Sequence, residues 1–225
     1  MNYQIIRDED KLREFIEWLP EPEENEKFYC CLFARKKYAN ASLKSSDKTH
    51  LKRFLSDKGR LFEKIKQLEV ARGAYKIGDV DAPEESLVLY INPNPRDLRK
   101  ASFDGIAKIA ELLKHEKQYL NPHSELMNCI QRSSGKKHYL DFDIDTRDFD
   151  FQALPGIINV DCLKIVETRG GYHILVRLAD LAPEYTKSFH RDLKALGVDQ
   201  TGDQLLPVPG CIQGGFMPRF IDVFS

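Results

Sequence analysis

Three aspartates alternate with apolar residues between residues 139 and 145, which read Tyr-Leu-Asp-Phe-Asp-Ile-Asp. Side chains alternate between the two faces of a β-strand, so a strand here places Asp141, Asp143 and Asp145 on one face. The apolar residues then lie on the opposite, buried face. Aligned carboxylates repel one another, which favours a bound cation, and oxygen ligands suit Mg²⁺ or Mn²⁺. The alternative is a solvated strand face with Lys and Arg neighbours.

Length and composition are those of a globular protein. The chain has 225 residues, of which 42% are apolar, which is enough for one large domain or two small ones. Its apolar runs are too short to span a membrane and its N-terminus lacks the features of a signal peptide, so we expect a cytoplasmic protein without a membrane partner. The five cysteines form no C-x-x-C pair, which predicts buried thiols rather than disulfides or a zinc site.

The apolar periodicity predicts a mixed α/β chain of the α+β class. The predicted helices cover residues 8–19, 51–72, 104–118, 124–130 and 182–196. The predicted strands cover residues 28–34, 86–92, 138–145 and 219–224, together with a hairpin formed by residues 163–167 and 172–178.

Positive charge is concentrated between residues 35 and 66, where eleven Lys/Arg stand against three Asp/Glu. Arg35, Lys36 and Lys37 follow a predicted buried strand, and Arg96 follows a turn that contains two prolines. Such residues can contact the phosphates of a nucleic acid. The basic side of the predicted helix 51–72 is equally compatible with a solvated helix face.

A second motif follows the acidic strand. Arg169, Gly170 and Gly171 precede His173, and glycines at a turn allow the backbone to approach a phosphate and form an anion nest. Arg169 can donate two hydrogen bonds to a phosphate, and His173 can donate or transfer a proton. A histidine packed in the core, with no functional role, is the alternative interpretation.

These two motifs resemble those of the archaeo-eukaryotic primase superfamily, in particular the primase-polymerase catalytic domain of plasmid and phage type. Its first motif, an apolar run followed by Asp-x-Asp, is matched by residues 139–143, and its second by residues 171–173. Its third motif, an apolar residue followed by Asp, is matched by Val198 and Asp199 ahead of the Pro-Gly segment at residues 207–210. Asp203 and, more distantly, Asp222 compete with Asp199 for this role.

The resemblance implies one catalytic domain over residues 1–225. In it, an N-terminal α/β unit of about residues 1–130 packs on an RRM-like unit of about residues 131–225, which carries the metal site, and the active site lies in the cleft between them. The implied function is nucleotidyl transfer by a DNA primase or polymerase. Such an enzyme adds an NTP or dNTP to a 3′-hydroxyl by two-metal-ion catalysis during DNA replication or repair.

The resemblance also assigns roles to individual residues. Asp141, Asp143 and Asp199, or Asp203 in place of Asp199, would be catalytic and bind Mg²⁺ or Mn²⁺. The implied nucleotide-binding residues are His173, Arg169, Gly170, Gly171 and Lys137, and the implied nucleic-acid-binding residues are Arg35, Lys36, Lys37 and Arg96.

The implied partners are a single-stranded or primed DNA template, together with a replicative helicase or further domains of a longer chain. Two other functions stay open, namely a non-catalytic module that binds single-stranded nucleic acid and a metal-dependent nuclease.

Overall fold

The computed structural model of the chain describes residues 1–39, 48–114, 121–200, 202 and 205–224, and within them the chain is a mixed α+β protein. The α-helices are α1 (Glu9–Trp18), α2 (Leu61–Lys66), α3 (Leu98–Leu112), α4 (Pro122–Arg132) and α5 (Phe189–Ala195). The β-strands are β1 (Glu26–Arg35), β2 (Lys48–Ser56), β3 (Lys76–Ile77), β4 (Val80–Asp81), β5 (Leu87–Ile91), β6 (Arg96–Asp97), β7 (Tyr139–Ile144), β8 (Leu163–Glu167), β9 (Tyr172–Arg177), β10 (Asp199–Gln200), β11 (Leu206–Pro207) and β12 (Arg219–Ile221).

The first sheet is antiparallel, with the strand order β11-β5-β1-β2, and β6 pairs with the start of β1. Both faces of β1 are buried. Phe28 and Leu32 pack into a core that also contains residues of α1, whereas Tyr29 and Phe33 pack into a second core that contains residues of α4. Burial on both faces explains why the β1 sequence is a continuous apolar run rather than an alternating one.

The second sheet is also antiparallel, with the strand order β10-β7-β9-β8-β12. One of its faces forms a core with α5, to which Phe142 and Ile174 contribute. From the opposite face, Val166 and Leu175 join the core of the first sheet. The aspartates of β7 lie on this second face, so they point toward the first sheet and not simply into solvent.

Two connections tie the sheets together. The side chain of Asn94, in the turn after β5, accepts hydrogen bonds from the backbone N–H groups of His138 and Tyr139 and donates one to the Tyr139 carbonyl. Later in the chain, β11 returns to the first sheet and pairs with β5 before β12 joins the second. The second half of the chain therefore contributes to both sheets.

The sequence-based prediction of a helix from residue 51 was wrong. Residues 51–56 belong to β2, which pairs along β1, and only Leu61–Lys66 form the helix α2. Apolar side chains at positions 51, 54 and 55 are compatible with a helix, but pairing along β1 satisfies the backbone of this segment instead.

Other helix boundaries also differ from the predicted ones. α3 begins at Leu98 instead of residue 104, because the Asp97 carboxylate caps its N-terminus by accepting a hydrogen bond from the Lys100 N–H. α5 begins only at Phe189, seven residues after the predicted start. The predicted end of the third helix, residues 115–118, lies outside the described residues.

The cysteines are free thiols, as predicted, and all except the partly buried Cys129 are buried. The longest helix in the described ranges, α3, has 15 residues, and no helix in those ranges combines the length and apolarity that crossing a bilayer requires.

Candidate active site in the cleft between the sheets

A cleft of about 320 Å³ lies between the two sheets. Its residues from the second sheet and the β8–β9 turn are Asp143, Asp145, Thr168, Gly170 and His173. Basic residues from the other side are Arg35 at the end of β1, Lys37 just after it and Lys48 at the start of β2. The cleft therefore brings carboxylates, an imidazole and cationic side chains together.

Strand register explains how the acidic and histidine motifs meet. Asp143 on β7 lies directly opposite His173 on β9 and, on its other side, opposite Asp199 on β10. Neighbouring strands are about 4.8 Å apart, so the three residues form a continuous row across the sheet. Asp143 is partly exposed, whereas Asp199 is exposed at the sheet edge.

The competing candidates for the third carboxylate lie elsewhere or outside the described residues. Asp222 follows β12 at the far edge of the sheet, three strands from β7, which corresponds to about 14 Å. Asp203 lies outside the described residues. Of the described candidates, only Asp199 is adjacent to Asp143.

A buried hydrogen bond fixes the imidazole ring of His173. Its Nδ1 lies 2.8 Å from Oδ1 of Asp141, which has no exposed surface. Because a carboxylate accepts hydrogen bonds, this contact places a proton on Nδ1. The other ring nitrogen, Nε2, lies 3.5 Å from Oδ1 of Asp143 at the cleft.

The charges around His173 favour its protonated form. Burial by itself lowers the pKa of His173, but the charge of Asp141, its hydrogen bond and the charge of Asp143 outweigh that effect and raise the pKa above its usual value. Burial raises the pKa of Asp143, and the carboxylates of Asp145 and Asp141 add to the rise against the opposing effect of His173. In its protonated form, His173 presents an Nε2–H donor beside the Asp143 carboxylate, which a further cation would stabilise.

The donor set fits a metal ion that is shared with a substrate better than one enclosed by the protein. Among the described residues, no group of three or more His, Cys, Asp or Glu side chains is arranged to hold a metal ion. Asp143 and Asp145 both line the cleft, and Mg²⁺ commonly takes one or two carboxylates together with substrate phosphates. Asp141, which we expected to be a metal ligand, forms a hydrogen bond with His173 and does not line the cleft.

The glycine pair does not form the predicted anion nest. A nest needs a residue with positive φ, and neither Gly170 nor Gly171 has one. A Cβ atom on Gly171 would lie 1.9 Å from the Ile144 carbonyl oxygen, so this glycine permits close packing of the turn against β7. Gly170 lines the cleft and has nothing within 4 Å of its Cβ position.

Arg169 is held beside the cleft rather than in it. Its guanidinium lies 4.5 Å from the ring centre of Tyr38 and donates a hydrogen bond to the Gly214 carbonyl. Its backbone N–H donates to the Gln213 side chain. These contacts engage one guanidinium nitrogen of Arg169 within the protein.

The remaining predicted basic residues do not line the cleft. Lys36 is exposed in the short 3-10 helix after β1. Arg96 and Lys137 line a different pocket, described below. Of the basic side chains assigned from the sequence, the structure therefore brings Arg35 and Lys37 to the acidic strand.

Several cleft residues received no role in the sequence analysis. Asp145 is one of them, although the same alternation that selected Asp141 and Asp143 includes it. Thr168 brings a hydroxyl group and Lys48 a further cation, and Tyr38 and Tyr90 add aromatic surface. Lys48 belongs to the basic stretch, whereas no local pattern distinguishes Tyr90 from an ordinary core tyrosine.

Comparisons of the chain with protein-family models, with curated proteins and with solved structures found no match.

Proposed function

We propose that this chain is a nucleotidyltransferase of the primase-polymerase kind, which adds an NTP or dNTP to a 3′-hydroxyl on a DNA template. The observation that carries the proposal is the row of Asp199, Asp143 and His173 on adjacent strands, in which Asp143 and His173 line one cleft together with cationic side chains. Nucleotidyl transfer needs both kinds of charge, because carboxylates hold metal ions while cations neutralise the triphosphate.

Asp143 and Asp145 would hold Mg²⁺ or Mn²⁺, with Asp199 at the neighbouring strand as the third carboxylate. When bound, such ions activate the attacking 3′-hydroxyl and stabilise the leaving pyrophosphate. This assignment moves the acidic pair two residues along the chain from the predicted pair, to Asp143 in β7 and Asp145 just after it. It is supported by the position of Asp145 in the cleft and by the hydrogen bond that occupies Asp141.

His173 would bind the triphosphate through its Nε2–H. Asp141 acts as a positioning residue, since its hydrogen bond to Nδ1 holds the ring and stabilises its charged form. Arg35, Lys37 and Lys48 would complete the phosphate site from the other side of the cleft. Their charge-assisted hydrogen bonds to phosphate oxygens are stronger than neutral ones.

A template strand would approach along the basic segment that contains β2. Contacts of Lys and Arg with backbone phosphates position a nucleic acid without reading its sequence. In the two-unit fold that the resemblance implies, the substrates would meet between an N-terminal α/β unit and an RRM-like unit.

The decisive experiment is an extension assay on primed and unprimed single-stranded DNA, with Mg²⁺ or Mn²⁺ and with NTPs or dNTPs supplied separately. The wild-type chain should extend the primer, and Asp145→Asn should lose this activity. Asp161→Asn is the matched control, because Asp161 is an exposed aspartate that lies outside the cleft. Full activity of Asp145→Asn would refute the assignment of this residue.

The same assay without nucleotides tests the nuclease alternative, because cleavage of labelled DNA needs only the metal ion. A non-catalytic binding module would show neither activity but would retain DNA binding. The acidic row argues against such a module, since carboxylates repel a nucleic acid unless a cation lies between them.

A further inference from the structure

A second polar pocket, of about 450 Å³, lies beside α4 and β6. The side chains that line it are those of Arg96, Asn128, Gln131, Arg132, Ser134 and Lys137. Three of them are cationic, and no described residue that lines the pocket is acidic. The pocket shares no lining residue with the acidic cleft. It is therefore a separate, positively charged site.

Arg96 is the central feature of this basic pocket. Arg96 is only 3% exposed. Its backbone pairs with Lys27 of β1 on one side and with Ser134 on the other. One guanidinium nitrogen contacts the Ser134 hydroxyl at 3.3 Å, whereas the buried Nε has no hydrogen-bond partner. Burial lowers the pKa of Arg96 to about 10, so the group stays charged at neutral pH.

A buried, incompletely paired guanidinium is costly unless an anion compensates it. The described ion pairs include none for Arg96, although the chain contains many other arginine–carboxylate pairs. Its burial in a pocket whose described lining contains no acidic side chain is explained if an oxyanion supplies the missing acceptors.

The neutral residues of the pocket are arranged as donors. The side-chain oxygen of Asn128 accepts a hydrogen bond from Arg53 at 2.7 Å, and that of Gln131 accepts one from the Tyr29 hydroxyl at 3.2 Å. These contacts engage the amide oxygens and leave the NH₂ groups as the available polar ends. Cations and amide donors together match the acceptor oxygens of a phosphate.

From these contacts we infer that the basic pocket binds a terminal phosphate or polyphosphate, carried either by a free nucleotide or by the phosphorylated end of a nucleic-acid strand. A backbone diester carries a single negative charge, whereas a terminal phosphate carries about two, which better balances Arg96, Arg132 and Lys137. The inference goes beyond the proposed nucleotidyl transfer and does not depend on it, because the pocket uses neither carboxylates nor a metal ion.

The first test is calorimetric titration of the full chain with inorganic tripolyphosphate in the presence of EDTA. Lys137→Gln and Arg132→Gln should each weaken binding about tenfold, the effect of losing one charge-assisted hydrogen bond. Lys136→Gln is the matched control, because Lys136 is a neighbouring exposed lysine that does not line the pocket. Equal losses in Lys136→Gln and Lys137→Gln would show general surface attraction and would overturn the inference.

The second test distinguishes the two sources of the phosphate. Fluorescence anisotropy compares a single-stranded oligonucleotide that has a 5′-phosphate with the same strand that has a 5′-hydroxyl. A preference for the phosphorylated strand that is lost in Lys137→Gln identifies a strand end, whereas Lys137-dependent binding of tripolyphosphate alone identifies a free nucleotide. If neither ligand depends on Lys137 and Arg132, the pocket is not a phosphate site.

Two further variants complete the design. Arg96→Gln should abolish tripolyphosphate binding, and thermal unfolding will show whether it folds. If it does not fold, the exposed residues Arg132 and Lys137 still decide the question. Asp143→Asn should bind tripolyphosphate like the wild type, so failure of the proposed polymerase activity and failure of this site give different results.

Discussion

The acidic cleft and the basic pocket both offer groups that bind phosphate, but their charges differ. The cleft places Asp143 and Asp145 among Arg35, Lys37 and Lys48, so a phosphate there meets carboxylates as well as cations. In the basic pocket, the described side chains are cations or neutral polar groups. A phosphate therefore needs a metal ion to approach the aspartates of the cleft, whereas the pocket can bind one directly.

The largest expected effect on this contrast comes from removal of divalent ions. EDTA should abolish primer extension completely, because the carboxylates of the cleft then repel the triphosphate. Binding of tripolyphosphate to the basic pocket should be unchanged in the same buffer. Extension is measured on a sequencing gel and binding by calorimetry. Loss of both activities upon chelation would contradict metal-independent phosphate binding in the basic pocket.

Substitution of the central carboxylate should have the next largest effect. Asp143→Asn should reduce the extension rate by about a thousandfold, the scale seen when one electrostatic group of an active site is lost. Its melting temperature should not change, because the Asp143 side chain is already 38% exposed. Lys137→Gln in the basic pocket should reduce the single-turnover rate far less, and equal losses in the two variants would contradict separate roles.

Substitutions of Asp141 test whether the fold depends on the buried pair of Asp141 and His173. Asp141→Ala leaves the His173 ring without its carboxylate and should lower the free energy of unfolding by about 3–5 kcal/mol. Asp141→Asn keeps an acceptor for the Nδ1–H, so the expected loss is about 1.5–3 kcal/mol. Urea denaturation measures both values.

A role in positioning His173 also predicts a kinetic difference. Asp141→Asn should retain more of the nucleotide affinity than Asp141→Ala, as measured by KM, with kcat less affected. Equal stability of Asp141→Ala and the wild type would show that the hydrogen bond contributes nothing to folding.

Substitutions of the two glycines, Gly170 and Gly171, should have the smallest effects. Gly171→Ala should destabilise the chain by about 1–3 kcal/mol, because the new methyl group collides with the Ile144 carbonyl. Gly170→Ala should change the free energy of unfolding by less than about 0.5 kcal/mol, since its Cβ position is open. Thermal unfolding of the two variants side by side provides the measurement.

A lower nucleotide affinity in a stable Gly170→Ala variant would indicate that the backbone of the turn approaches the substrate. An equally destabilised Gly170→Ala would contradict the different environments of the two glycines.

Local sequence patterns were sufficient to predict much of the fold. The continuous apolar run predicted β1, the alternation predicted β7, and the residues around the glycine pair predicted the hairpin of β8 and β9. The pattern failed for residues 51–56, where a helix-like spacing belongs to β2, because pairing along β1 outweighs a weak local preference.

The candidate site was predicted only in part, for a similar reason. Alternation places Asp141, Asp143 and Asp145 on one face but contains no information about which of them other elements cover. Packing of that face against the core of the first sheet buries Asp141 and leaves Asp143 and Asp145 in the cleft. Arg96 and Lys137 are far apart in sequence, and only the contact between β6 and the segment after α4 brings them into one pocket.

Local sequence patterns alone predict the strand with its acidic face, the hairpin with its histidine and the mixed α+β class, because these features depend on periodicities between near neighbours in the chain. The position of Asp199 beside Asp143, the hydrogen bond between Asp141 and His173 and the burial of Arg96 in a basic pocket follow from the folded structure and not from local sequence. Strand order and burial depth depend on the packing of distant segments, and so no local pattern contains them.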